Sequence, residues 1–298
     1  MTLFAALASV VFGAMAKDTT QERLLYGLKV FAEFMVIGLV LGWLLYFIPC
    51  SVPMALFETE ALILRSYNLA EADKIVVCLS RSAGLIRGVA KGCRKLKNRF
   101  GAALEPFTLI NLTYYEKENQ ELVSFRQVEI LKSRFNLSTN ASLLTGFAYM
   151  GDLLIDFSPP HQANDNLFRM ALACFEAASE TPSDLDAVLR YFEVWVLKLE
   201  GFLPDLRACA NCQRTFADEV TYLAPDLSLR CFDCSNGRGG PVTKGLRAHL
   251  RTAEKLSPPK FAEGAREVSK ETKREMAELT FQIIGRVLER MPRVRPAS

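Results

Sequence analysis

The spacing of apolar positions changes repeatedly along the 298-residue chain. Residues 2–16 are apolar, and residues 34–49 run sixteen positions without a charge. From 54 to 133 the pattern turns into short segments rich in β-branched and aromatic residues, separated by turn residues, which predicts strands. Five are expected, over 61–67, 74–80, 85–91, 107–116 and 121–131, with hairpin turns at Ser82-Ala83-Gly84 and at 117–120. Five short strands in about 80 residues suggest a small barrel, and a five-stranded Greek-key barrel of that size is the OB-fold. Beyond Ser133 the apolar period becomes helical. Residues 142–157 carry Leu143, Phe147, Met150 and Leu154 at three- and four-residue steps, and Pro159-Pro160 ends that run. Residues 164–180 and 185–200 continue the pattern, with Gly201 as a C-cap. A cysteine-bearing stretch at 207–236 interrupts the helices, and 237–240 reads as a flexible exit from it. Helices at 245–256 and 270–291 close the chain, the last with Met276, Leu279, Ile283, Val287 and Met291 on one stripe. The fold class expected is therefore α+β: a five-stranded OB-fold barrel (54–133), a helical domain (134–291) carrying a four-cysteine ribbon, and a disordered tail (292–298).

The apolar leader, residues 1–53, has two readings. A bilayer span needs about 20 residues, and 28–48 reaches that length only by including Lys29 and Glu33. Ala14-Met15-Ala16 has the small residues of a cleavage site, but no basic stretch precedes the apolar segment, which argues against a secretory signal. The leader is either a membrane anchor through 28–49 or upstream coding sequence joined to a domain beginning at Met54. The abrupt change of composition at Met54 favours the second.

Composition is ordinary for a globular protein, with 23% charged and 50% hydrophobic residues. The net charge of +3 is small but unevenly spread. Arg81, Arg87, Lys91, Arg94, Lys95, Lys97 and Arg99 fall in one stretch that holds no acidic residue. Such a patch is the electrostatic footprint of a polyanion partner, whereas a merely solvated loop usually mixes both signs. If about five of these charges neutralise phosphates, log K for a single strand falls with log salt at a slope of roughly −3.5. Tyr67, Phe100, Phe107, Tyr114, Tyr115 and Phe125 lie in or beside the barrel. Adjacent strand residues point to opposite faces, so Tyr114 and Tyr115 cannot both be core, and one of them can offer a stacking surface for a base. Packing is the commoner role of a barrel aromatic.

Cys209-Ala-Asn-Cys212 and Cys231-Phe-Asp-Cys234 stand eighteen residues apart. Two such knuckles suit a tetrahedral Zn²⁺ site of four thiolates, with a β-hairpin between them. Four protein ligands leave no position for water, which makes the site structural. Disulfides or a redox pair are the competing readings. The scattered Cys50, Cys78, Cys93 and Cys174 suit free thiols in a reducing compartment. No triad, P-loop or dinucleotide motif stands out, and the expectation is a protein that is not an enzyme.

These parts together resemble the RecO family of bacterial recombination mediators, which act in DNA repair. The resemblance runs from Met54 to about Met291. It rests on Ala61-Leu-Ile-Leu-Arg-Ser-Tyr67, Glu71-Ala-Asp-Lys-Ile75, Gly84-Leu-Ile-Arg-Gly-Val-Ala-Lys-Gly92 with its basic run, Leu104-Glu-Pro-Phe107, and Phe192 through Leu199-Glu-Gly-Phe-Leu-Pro204. It implies an OB-fold, a helical domain and one four-cysteine zinc site. It also implies binding of single- and double-stranded DNA and annealing of complementary strands. Together with RecR, such proteins help load RecA on DNA coated by single-strand binding protein. Carried to this chain, the DNA-binding role falls on Arg81, Arg87, Lys91, Arg94, Lys95, Lys97 and Arg99, and the zinc role on Cys209, Cys212, Cys231 and Cys234. Such a protein acts in the cytoplasm at the nucleoid, and the apolar leader departs from that pattern. The competing class is a membrane-tethered zinc-ribbon adaptor whose barrel binds proteins. A third class, a nuclease or hydrolase, lacks any nominated acidic residue.

Overall fold

The computed structural model describes residues 11, 20–47, 55–69, 71–95, 98–116, 121–134 and 140–290. The apolar segment 2–16, the Met54 boundary, the turn at 117–120, Lys97, Met291 and the tail 292–298 lie outside the described residues, apart from residue 11. The chain forms two compact units, Met1–Pro53 and Met54–Ser298.

In the first unit, helix α1 spans Thr20–Phe47. Its stretch Leu24–Leu44, 21 residues, is long and apolar enough to cross a membrane, and few of its side chains are covered by protein. Lys29 and Glu33 pair across one turn at 4.0 Å.

In the second unit, β1 (Ala55–Asn68), β2 (Lys74–Ser80), β3 (Gly84–Ala90), β4 (Leu109–Glu116) and β5 (Val123–Lys132) close a barrel in the order β1-β2-β3-β5-β4. All pairings are antiparallel except β3 with β5, which is the strand crossing an OB-fold requires. The strand alternation divides apolar residues between two cores. Ala61, Ile63, Val76, Cys78, Ile86, Tyr114, Val123 and Phe125 fill the barrel interior. Leu62, Leu64, Val77, Leu79 and Leu85 leave its outer side and join the helical core. That explains why Ala61–Leu64 form an unbroken buried run instead of alternating: both faces of β1 are covered there.

Helices α2 (Ala141–Phe157), α3 (Asp165–Glu180) and α4 (Leu185–Leu199) pack on that outer side. Asn140 and Asn164 cap α2 and α3, their side chains accepting from the N–H of Leu143 at 3.1 Å and Leu167 at 3.0 Å. At the end of α4, Gly201 has φ +79°, its N–H donates to Lys198 O and that of Phe202 to Leu197 O. This is the Schellman closure expected from the Gly. Residue Phe107, expected to open the fourth strand, instead sits in a turn with φ +65° and packs its ring against both Phe147 and Phe175. Arg134 locks this junction: it donates to Phe107 O at 2.9 Å and lies 3.5 Å from Glu176.

The chain then enters a small sheet of β6 (Thr221–Leu223), β7 (Leu229–Arg230) and β8 (Gly240–Val242), with a short helix α5 (Phe232–Ser235). Residues 237–240 are not a loose exit. Gly240 opens β8 beside β6, and Gly239 takes φ +120° where an added Cβ would sit 2.5 Å from Leu223 O. Helices α6 (Lys244–Ala253), α7 (Pro258–Ala265) and α8 (Lys270–Val287) complete the core. The apolar pattern alone misses α7, an eight-residue helix whose signal is Ser257 before Pro258-Pro259.

Candidate nucleic-acid interface and metal centre

Within the second unit, the described helices pack on the side of the barrel that presents Leu62, Leu64, Val77, Leu79 and Leu85, and the register shows what faces outward elsewhere. Tyr67 pairs with Ile75, Ile75 with Val89, Val89 with Ser124, and Ser124 with Tyr115. Directly paired residues point to the same face, so this row runs across five strands on the outer surface. Arg87 precedes Val89 by two positions on that face and is exposed, and Lys91 follows it just past the end of β3. Arg126 stands two positions beyond Ser124 and is also exposed. The loop after β3 carries Arg94 and Lys95, both exposed, and leads to Arg99.

The seven nominated cations do not share one environment. Arg87, Lys91 and Lys95 have no carboxylate among the described residues within ion-pair reach. Arg94 holds its place in the loop through its N–H, which donates to Ala72 O at 3.1 Å. Arg99 is partly committed: its Nη2 donates to Phe125 O at 3.2 Å and its guanidinium lies 4.9 Å from the Phe100 ring. Lys97 lies outside the described residues. Arg81 departs from the expectation of an unopposed charge. Its Nη1 lies 3.0 Å from Glu60 and its Nε 2.8 Å from Asp165, and the Asp165 hydrogen bond leads the causes that raise its pKa. Linear sequence shows no acid near Arg81; the fold brings one from β1 and one from α3.

Arg126 is the cation that sequence reading does not nominate. It donates to the Tyr115 hydroxyl at 2.8 Å and its guanidinium lies 5.5 Å from the Tyr115 ring centre. The only signal in the chain is its place in a predicted strand, and no local rule supplies the register that sets it beside Tyr115. Tyr114 turns inward as expected of one member of the pair, buried and stacked on Phe57 at 5.5 Å.

The four cysteines converge as their spacing suggests. Their sulfurs lie within 4.8 Å of one another, and Cys212 Sγ is 3.8 Å from Cys231 Sγ. A tetrahedral site with metal–sulfur bonds of about 2.3 Å has edges of about 3.8 Å, so the spread fits one Zn²⁺-sized ion. A disulfide needs about 2.05 Å, and the described cysteines are all free. Each knuckle is shaped by its backbone: Gln213 N–H donates to Cys209 O at 2.9 Å in the first, and α5 with the left-handed Asn236 forms the second. Donors already point at sulfur. The Cys231 N–H lies 3.4 Å from Cys209 Sγ, and Asn211 Nδ2 lies 3.3 Å from Cys234 Sγ. Burial opposes ionisation of Cys209, but N–H groups of Cys212, Cys231 and Asn211 outweigh it and bring the thiol down to about 6. At Cys234 the Asn211 amide pulls down, yet the neighbouring thiols and desolvation push it up to about 11. Four thiols so close cannot all ionise without a cation among them, which is the chemistry of a metal site.

The ribbon is fastened to the helices. Buried Arg247 of α6 donates to Glu219 O and Ala217 O, both at 2.6 Å, and Arg286 of α8 donates to Ala224 O at 3.0 Å. Leu206, Leu223, Leu229 and Val242 belong to the helical core itself.

Comparison with known proteins agrees with this architecture. Residues 54–134 match the family model described as Recombination protein O N terminal, and residues 139–296 match Recombination protein O C terminal. A DNA repair protein RecO from Koribacter versatilis is 34% identical over 165 residues, covering 55% of this chain and 67% of that protein. Those from Dehalococcoides mccartyi and an Anaeromyxobacter species are 30% and 31% identical over 205 and 215 residues. Both alignments cover 68% of this chain, and they take in 80% and 84% of the two relatives. An OB-fold barrel joined to a helical domain with four convergent cysteines, matched by both family models, places this chain in the RecO family of DNA repair proteins.

Proposed function

We propose that this chain is a non-enzymatic DNA-binding mediator of recombinational repair. It binds single- and double-stranded DNA, anneals complementary strands and, with RecR, helps load RecA on DNA coated by single-strand binding protein. The observation that carries the reading is the set of exposed Arg87, Lys91 and Lys95 on β3 and the loop after it, with no carboxylate paired to them among the described residues. Cations of this kind gain most from phosphates, because binding releases counterions from the nucleic acid. Annealing follows from the same physics: a basic surface screens the repulsion between two strands and raises their local concentration. Family membership supports the partners.

Cys209, Cys212, Cys231 and Cys234 would hold one Zn²⁺ in this reading, and the ion would supply cohesion, not catalysis. Its role is to keep the ribbon in the position from which Leu223, Leu229 and Val242 enter the helical core.

The test is annealing of complementary oligonucleotides with a salt series. Charge reversal of Lys91 and Lys95 together should abolish annealing and make the salt slope shallower by about 1.4. An unchanged slope with normal annealing would remove the barrel surface from the reading.

A second reading, a membrane-tethered zinc-ribbon adaptor for protein partners, draws on helix α1. Its 21-residue stretch Leu24–Leu44 extends about 31 Å, close to the thickness of a bilayer core of about 30 Å. Tyr26 and Trp43 lie near the two ends of that stretch, where aromatic belts sit. Flotation of the full chain with lipid vesicles supports this reading, and loss of annealing on charge reversal counts against it.

A further inference from the structure

We infer that Tyr67 and Tyr115 are stacking platforms for the bases of a single strand laid across the outer row of the barrel. The inference rests on the nucleic-acid reading of that surface and adds to it a reason to distinguish unpaired from paired strands.

The two tyrosines occupy the ends of one lateral row, with Ile75, Val89 and Ser124 between them. Four inter-strand steps separate them, about 19 Å along the curved surface. None of the three residues between carries a charge, while Arg87, Lys91 and Arg126 stand to either side of the row. This is a band that is uncharged along its centre and cationic along its margins. Bases suit the first and phosphates the second.

An outward aromatic on a barrel ordinarily packs against a neighbouring element. That explanation does not account for Tyr67, and Tyr115 is only partly covered. The helices cover the part of the barrel that presents Leu62, Leu64, Val77, Leu79 and Leu85, and Tyr67 remains 47% exposed. Both rings are held by the same device. Arg65 Nη1 lies 3.2 Å from the Tyr67 hydroxyl, and Arg126 Nη1 lies 2.8 Å from that of Tyr115. Arg65 is itself anchored to Asp152 of α2. Each ring therefore loses little rotational freedom when a base arrives. Arg126 lies over one face of Tyr115 and adds a cation that a phosphate can reach. In a duplex the bases are already stacked and paired, so a duplex can use the cations but not the tyrosines.

The experiment measures binding of the full chain to a fluorescein-labelled single strand and to a duplex of equal length, by anisotropy at fixed salt. Replacing both residues, Tyr67→Leu with Tyr115→Leu, should weaken single-strand binding by at least about tenfold and leave duplex binding within about twofold. The paired Tyr→Phe changes should cost single-strand affinity far less than the Leu changes, since the ring meets the base and the hydroxyl only helps to hold it in place. On the unaltered protein, a single strand carrying 5-iododeoxyuridine should photocrosslink at Tyr67 or Tyr115, mapped by mass spectrometry. Undiminished single-strand binding by the Leu variant, equal loss on single strand and duplex, or crosslinks only elsewhere would overturn the stacking role. Those results leave the basic surface standing. Charge reversal of Arg87 and Lys91 is the separate check on that surface, and it should weaken both nucleic acids alike.

Discussion

The Tyr149 hydroxyl donates a 2.6 Å hydrogen bond to Glu193, a carboxylate with no exposed surface in the centre of the helical core. Arg190 approaches the same carboxylate at 2.8 Å and Thr280 donates to it at 2.5 Å. Three helices, α2, α4 and α8, thus meet on one buried charge. Deleting one partner of such a group leaves the others buried and unsatisfied. Glu193→Ala should lower unfolding free energy by about 3–5 kcal/mol in chemical denaturation. A loss under about 1 kcal/mol would show the network to be incidental.

Barrel closure depends on a residue with no side chain. A Cβ on Gly88 would lie 2.1 Å from the Phe125 ring, which fills the interior at that level. Gly88→Ala should cost about 1–3 kcal/mol through overpacking. The cost should shrink in a Phe125→Leu background, and a double-mutant cycle measures the coupling. Additive effects would mean the ring moves aside freely.

Removing one ligand should test the metal staple. Cys209→Ser should release zinc, read by a chromogenic chelator, and destabilise the protein by at least about 3 kcal/mol. The ribbon strands share a core with α6 and α8, so the helical half should loosen with it, seen as faster amide exchange there. Full stability without bound metal would refute the staple.

Acid should weaken the fold through His249. Burial, with a smaller contribution from Lys273, holds its pKa below the ordinary 6.5. The folded state therefore binds its proton less readily than the unfolded chain. Its contribution to stability is present above pH 6.5 and is lost as pH falls through the depressed folded value. His249→Gln should flatten the decline of thermal midpoint below about pH 6.5. An identical decline in the variant would assign the acid sensitivity elsewhere.

Local rules carried far in this chain. Five strands, the helices over 142–157 and 164–180, the Gly201 stop and the cysteine knuckles follow from alternation, helical period, capping chemistry and spacing, each confined to a few neighbouring residues. The misses share a cause. Helix α7 is eight residues long, too short for a clear period, and residues 237–240 looked loose because glycines read as punctuation until β6 pairs beside them.

Sequence alone determined the fold class, the four paired cysteines and a run of positive charge, because each depends on residue type and short spacing. Tertiary structure decided which charges remain available. Glu60 and Asp165 reach Arg81 from 21 and 84 positions away, while Arg126 joins Tyr115 through strand register. Electrostatic interaction and stacking act through space, and only the closed barrel sets those distances.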